Sequence, residues 1–138
     1  MTWRLIRTDD KLLQVAQLVL LCVAVTRGLD YLITPAGSSA ALSYIEQSAP
    51  LPVWGALFIA FGMTGLAGEW WMSFGESDRR WIASWTAHAG LAALYFTFAI
   101  GALLELFSRE PFYGFRTACD WAILGFLHVV FIRRRDRV

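Results

Sequence analysis

The chain has 138 residues, of which 57% are hydrophobic and 17% are charged, and its formal net charge is +1. Soluble domains are about 45–50% apolar and about 25% charged, so this composition indicates a membrane protein. A membrane-spanning helix needs about 20 apolar residues, and four such stretches leave too little chain for a separate soluble domain. Any function must therefore belong to the membrane helices or to their short loops.

The first predicted span covers residues 12–33 and ends where Thr34-Pro35-Ala36-Gly37 breaks the helix. Over residues 38–49, apolar side chains recur at helical spacing, and polar side chains lie largely on the opposite face. This pattern predicts a helix of about three turns that lies in the membrane interface. An irregular loop is the alternative interpretation of the same residues.

Three further predicted spans follow, at residues 53–74, 81–107 and 115–132, and Pro52 fits the first turn of the second span. One face of that span is rich in small residues, which let helices approach closely in lipid. These residues are Gly55, Gly62, Gly65 and Gly68, with Ala56 and Ala60 as a further small pair. The sequence thus predicts an all-α integral membrane protein, a single domain over residues 1–138. Its fold is a four-helix antiparallel transmembrane bundle with a short interfacial helix in the first outer loop.

Positive residues are distributed unevenly between the two ends of the predicted bundle. The two tails and the middle loop carry Arg4, Arg7, Lys11, Arg79, Arg80, Arg133, Arg134, Arg135 and Arg137. The other two loops carry only Arg109. By the positive-inside rule, both termini are predicted to be cytoplasmic, in the inner membrane of a bacterium. The C-terminal arginines are interpreted as a topology signal in contact with anionic lipid, and no nucleic-acid partner is expected.

Ionisable residues inside the predicted spans fall into two layers when they are sorted by depth at 1.5 Å per residue. The outer layer contains Arg27, Asp30, Glu105, Arg116 and Asp120. The inner layer contains Glu69, His88 and His128. The middle is predicted to be almost purely apolar and small, and most tryptophans are interpreted as interfacial belts at the span ends.

Each layer has a structural and a functional interpretation. Outer charges can pair within their helices, Arg27 with Asp30 and Arg116 with Asp120, and lock the hairpins together, or they can line a path for ions, protons or a substrate. The inner layer can relay protons or bind a metal, or it can simply form hydrogen bonds. No pair at helical spacing supports a metal site, so none is predicted.

Other chemistries have no motif in this sequence. There is no glycine-rich phosphate loop, no CxxC and no HExxH. Cys22 and Cys119 are predicted to be buried free thiols. We therefore expect neither an enzyme nor a cofactor.

Two stretches resemble elements of small four-span membrane proteins encoded by phages of actinobacteria. Arg27-Gly28-Leu29-Asp30-Tyr31-Leu32 is similar to the Arg-Gly-x-x-Tyr-Leu element that ends their first span. Pro50-Leu51-Pro52-Val53-Trp54-Gly55 is similar to the Pro-Leu-x-Val-Trp-Gly opening of their second span. The resemblance covers the first half of the chain and implies a phage source. Many of these proteins are described only as membrane proteins, or as holin-like when their genes lie beside lysis genes. It carries over no catalytic residue.

From size, topology and small-residue faces, we expect a holin-like protein that self-associates and permeabilises or remodels the host membrane. The outer-layer residues would then line or gate the polar path, and the partners would be the lipid bilayer and further copies of the chain. One alternative is a non-lytic accessory protein of the superinfection-exclusion type, which would bind an envelope or phage partner through its outer loops. The chain also has a fainter resemblance to DoxX-type redox or transport proteins. It lacks the Gly-x-x-Lys sequence that ends the first span of those proteins.

Overall fold

The computed structural model describes residues 10–72, 80–108 and 114–134. In these ranges the chain forms helices joined by short connections, and it contains no strand. The elements are α1 (Asp10–Ile33), a 3-10 turn (Ala40–Leu42), α2 (Ser43–Ser48), α3 (Leu51–Met72), α4 (Arg80–Phe107) and α5 (Phe115–Arg134). The four long helices are long and apolar enough to cross a membrane. The predicted fold is therefore confirmed: this is a multi-pass helical bundle with a short helix in its first connection.

Local chemistry places the helix ends close to the predicted positions. Beyond Ile33, Pro35 disfavours helical backbone at Thr34, and Gly37 then adopts a φ of 73°, in the left-handed region that favours glycine. Pro52 lies in the first turn of α3, where a missing N–H breaks no helical hydrogen bond. Residues 73 and 74 of the predicted second span lie outside the described residues.

Helix α4 lies at the centre of the packing. It packs against α3 on one side and α5 on the other, while α1 packs against α3. Short connections make successive long helices antiparallel, so the bundle has two distinct ends. We call the end at Ile33, Leu51, Phe107 and Phe115 the loop end, and the opposite end, where both tails leave the bundle, the termini end.

The glycine face of α3 is buried inside the bundle. A Cβ added at Gly55 would lie 2.6 Å from the carbonyl oxygen of Gly28 on α1, and one added at Gly68 would lie 2.9 Å from the backbone nitrogen of Ser84 on α4. Gly62 and Gly65 also lie against α1, so the small-residue face mediates packing within one chain. That face is not available for contacts between copies, whereas Ala56 and Ala60 are exposed.

The first connection, residues 34–50, is folded against the bundle, and we call it the outer segment. Its Leu42 and Ile45 are buried, and Ile45 covers Gly101 on α4. The Gly37 N–H donates to Glu46 Oε2 at 2.8 Å, which ties the start of the segment to α2. The predicted helix is therefore present in shorter form, as the 3-10 turn followed by the six-residue α2, with its apolar side packed on α4. Its place in the membrane interface stays a prediction.

The interior towards the loop end contains large aromatic rings, contrary to the prediction of a small, purely apolar middle. All four long helices contribute, and the rings meet edge-on or stacked. This aromatic cluster consists of Tyr31, Trp54, Phe58, Tyr95, Phe98 and Trp121. Trp121 is only 3% exposed, so the interpretation of the tryptophans as interfacial belts does not hold for it. Trp70, Trp71, Trp81 and Trp85 are exposed near the termini end.

Candidate functional site: a buried polar cluster

Five polar side chains are buried together near the termini end, and each of the four long helices contributes at least one. Each is exposed by 7% or less. We call this set the polar cluster: Gln17, Glu69, Ser84, His88 and His128. Polar groups inside membrane spans are expensive to bury and tend to mark functional sites, so this is the candidate site of the molecule.

Gln17 connects three helices through one atom. Its Nε2 donates to Glu69 Oε1 at 2.7 Å and lies 3.2 Å from Ser84 Oγ and 3.0 Å from His88 Nε2. The Ser84 hydroxyl also donates to Glu69 Oε1. The Glu69 side chain is therefore bound by donors from α1 and α4, which satisfy the hydrogen bonding of a buried polar group.

The two histidines form a pair across α4 and α5. Their Nδ1 atoms are 2.7 Å apart, within hydrogen-bonding distance. The His128 ring stacks on Tyr95 at a centroid distance of 5.3 Å, and the His88 ring stacks on Phe131 at 5.4 Å. His128 Nε2 is buried and has no hydrogen-bond partner in the described part of the chain.

Helical periodicity brings these residues inside. On α4, Ser84 and His88 are four residues apart, and Leu91 and Tyr95 continue the same buried face. On α1, Gln17 lies four residues before Leu21 on the face that packs against α3. The same spacing could have identified both Gln17 and Ser84, which depth sorting missed because neither residue carries a charge.

The predicted inner layer is thus brought together, with Glu69, His88 and His128 in one cluster. The Glu69 carboxylate is linked to His88 by Gln17, and His88 contacts His128 directly. No group of three His, Cys, Asp or Glu side chains within residues 10–72, 80–108 and 114–134 could hold a metal ion. The carboxyl, hydroxyl, amide and imidazole groups of the cluster form hydrogen bonds, and its carboxyl and imidazole groups can also take up and release protons.

The predicted outer layer does not form one buried network. Arg27 is half-buried with its guanidinium 4.4 Å from the centroid of the Trp121 ring, and the described contacts do not include the expected ion pair with the exposed Asp30. Arg116 and Asp120 are 3.8 Å apart but 93% and 57% exposed, so solvent or headgroups screen the pair and it contributes little. Glu105 is buried near the loop end of α4.

The position of Arg27 follows from its aromatic surroundings. A guanidinium over an indole face is held by cation–π attraction, which strengthens when the pair is desolvated. The positive charge of Arg27 also interacts electrostatically with the hydroxyl groups of Tyr31 and Tyr95. Arg27 therefore links α1 to the aromatic cluster.

Both cysteines are free thiols. Cys119 is half-buried, but Cys22 is exposed on the outside of α1, so its predicted burial was wrong. Its depth along the helix was used to predict burial, but depth does not say whether a side chain faces the bundle or the lipid.

The charges that decide orientation lie mostly outside the described residues, including Arg4, Arg7, Arg79, Arg109 and Arg137. Orientation therefore stays a prediction from the sequence. Comparisons of the chain with protein-family models, with curated proteins and with solved structures found no match.

Proposed function

We propose that this chain is a holin-like protein of a bacterial cytoplasmic membrane that lowers the resistance of that membrane to ions. The observation that carries the proposal is the polar cluster, in which a carboxyl group and two imidazoles are buried between membrane-spanning helices. Burying such groups in lipid is unfavourable, and in spans they commonly line ion or proton pathways. An interior that served packing alone would need none of them.

The membrane and orientation in this proposal rest on the distribution of arginine and lysine. Positive residues concentrate in the tails and the middle loop, which places both termini in the cytoplasm. The phage source rests on the two motifs that end the first span and open the second. In this orientation the polar cluster lies in the cytoplasmic half of the bilayer.

Self-association is part of the proposal, but the glycine face of α3 cannot mediate it because α1 and α4 occupy that face. The exposed side of α3 carries Ala56, Ala60 and Ala67 at helical spacing. Small residues of this kind let helices of neighbouring copies approach closely. Copies would then meet along α3, on the side away from the bundle interior.

Induction of the wild-type chain in bacteria is expected to depolarise the membrane, as reported by a voltage-sensitive dye. Glu69→Gln should weaken this effect several-fold at equal protein level, because it removes a buried acidic group while keeping the side-chain shape. Glu46→Gln is the matched control, since Glu46 lies in the outer segment and only binds the Gly37 N–H.

Wild-type protein that is well inserted and leaves the potential unchanged at every expression level would show that the proposal is wrong. Equal loss in the Glu69→Gln and Glu46→Gln variants would show that the polar cluster has no special part in depolarisation.

A second function is favoured by the fold of the outer segment. Residues 34–50 are packed on α4, with Tyr44 and Gln47 exposed on this folded surface. We infer that this surface binds an envelope or phage partner if the chain is a non-lytic accessory protein. Tyr44→Ala together with Gln47→Ala should then abolish protection against a second phage while leaving protein level unchanged. Protection that survives the double substitution would count against this function.

A further inference from the structure

We propose that Glu69, His88 and His128 form a proton-transfer chain inside the bundle, which Gln17 interrupts at rest. This inference rests on the proposed function, because it names the ion that passes and the groups that carry it. The polar cluster spans α1, α3, α4 and α5, and its members are joined by contacts of 2.7–3.0 Å.

The hydrogen-bond geometry assigns a direction to the chain in its resting state. The Gln17 amide nitrogen can only donate, so His88 Nε2 accepts and the proton of neutral His88 lies on Nδ1. His88 Nδ1 then donates to His128 Nδ1, which places the proton of neutral His128 on Nε2. That N–H is buried without an acceptor among the described residues.

One proton can cross this chain with a balanced set of bonds. A proton taken up by the Glu69 carboxylate passes to His88 Nε2, where an N–H bond forms as the carboxyl O–H bond breaks. The N–H bond at His88 Nδ1 then breaks as a new one forms at His128 Nδ1. The N–H bond at His128 Nε2 breaks as its proton passes to a water molecule that enters beside this ring, where a new O–H bond forms. Both rings end neutral with their tautomers exchanged, and exchange of the tautomers back resets the chain. No electrons are transferred.

Gln17 blocks the first of these steps. The same Nε2 atom lies 2.7 Å from Glu69 Oε1 and 3.0 Å from His88 Nε2. An amide nitrogen has no lone pair available to accept a proton, so it separates the carboxylate from the imidazole. Transfer therefore needs the Gln17 side chain to move or to be shortened. A shorter side chain would leave space in a polar site, which a water molecule can fill.

The groups that face the histidine pair come from every helix packed against it. Next to His88 Nε2 lies Gln17 of α1, which also binds Glu69 of α3. Ser84 of α4 binds the same Glu69 carboxyl group. Phe131 on α5 and Tyr95 on α4 stack on the two rings. The buried Tyr95 hydroxyl has no hydrogen-bond partner among the described residues, and its ring lies against His128.

Proton flux into vesicles tests the proposal. The purified full chain is reconstituted in phosphatidylethanolamine and phosphatidylglycerol vesicles that contain the pH indicator pyranine. A potassium gradient with valinomycin sets the membrane potential. His128→Gln keeps a hydrogen-bonding side chain but cannot carry a proton through, so proton flux should fall by about tenfold or more. Gln17→Ala should raise the flux several-fold, because it removes the block.

Gln14→Ala is the matched control for Gln17→Ala. Gln14 is exposed on α1, less than one turn before Gln17, so its truncation should leave proton flux unchanged. Release of potassium from vesicles without valinomycin reports permeability to other ions. If His128→Gln does not fold, Gln17→Ala still decides the question, because damage to the structure would not be specific for protons.

Three outcomes separate this inference from the proposed function. Proton flux that falls in His128→Gln and rises in Gln17→Ala, with potassium release unchanged, supports the chain. Wild-type vesicles that release ions, with proton flux the same in both variants, overturn the chain and leave the proposed function standing. Wild-type vesicles that pass neither protons nor potassium overturn both.

Discussion

Replacing Gly28 with leucine is expected to prevent α1 from packing against α3 and to abolish the folded bundle. A Cβ at Gly28 would lie 2.6 Å from the Gly55 carbonyl oxygen and 2.9 Å from the Ile59 backbone nitrogen. Those atoms belong to the backbone of a neighbouring helix, so the clash is not relieved by rotating a side chain. Overpacking of a core costs about 1–3 kcal/mol when side chains can adjust, and here we expect about 3 kcal/mol or more. The measurement is the elution profile and thermal midpoint of the detergent-solubilised protein.

Ala16→Leu is the control for this substitution, because Ala16 is exposed on the same helix. It adds the same side chain in a position where lipid or detergent can accommodate it. The Ala16→Leu variant should elute as the wild type does, whereas Gly28→Leu should aggregate or melt at a much lower temperature. Equal midpoints for the two variants would mean that the close approach of α1 and α3 is not needed for stability.

Replacing Phe58 with alanine is expected to be the most damaging truncation in the aromatic cluster. Phe58 is fully buried and contacts rings on all three other long helices. Its partners are Tyr31, Tyr95, Phe98 and Trp121. In soluble proteins such a change costs about 3–5 kcal/mol. In lipid the transfer contribution is smaller because acyl chains are as apolar as the core, so we expect about 2 kcal/mol, from the cavity and the lost ring contacts.

Phe126→Ala provides the comparison, since Phe126 is 64% exposed on α5. Both changes remove a phenyl ring from a membrane-spanning helix, but only Phe58 leaves a cavity inside the bundle. A reversible unfolding titration in mixed detergent micelles should show a lower midpoint for Phe58→Ala and little change for Phe126→Ala. A similar decrease in both would mean that loss of a phenyl ring at any position, and not a cavity inside the bundle, determines stability.

The number and limits of the helices could be predicted because they depend on local chemistry. Apolar runs of sufficient length predict spans, and Pro35, Gly37 and Pro52 mark the ends in the sequence. Which side of each span faces the interior of the bundle could not be predicted in the same way. In water, hydrophobicity distinguishes the inside of a helix from the outside, but lipid is as apolar as a protein core. The sequence therefore does not show that Trp121 packs inside the bundle.

The depth of the candidate site in the bundle could be predicted from the sequence, but not all of its contacts could. Sorting by depth placed Glu69 and the two histidines at one level, and the structure brings them into contact through Gln17. The same method placed Arg27 and Asp30 in one layer, and their spacing of three residues on one helix suggested an ion pair. Depth does not reveal that an indole from α5 lies beside Arg27, and this contact, unlike the ion pair, keeps the guanidinium partly inside the bundle.

The long helices differ in length, and this has a consequence for the surrounding lipid. Helix α4 has 28 residues and measures about 42 Å at 1.5 Å per residue, whereas α5 has 20 residues and measures about 30 Å. The hydrocarbon layer is about 30 Å thick, so α5 matches the bilayer while its neighbour exceeds it. The helices that face the lipid therefore differ in length around the bundle. A bilayer that surrounds the protein must change thickness from one helix to the next. Copies that share one deformed patch of lipid would deform less of it in total, so we expect an elastic attraction between neighbouring copies that needs no direct contact.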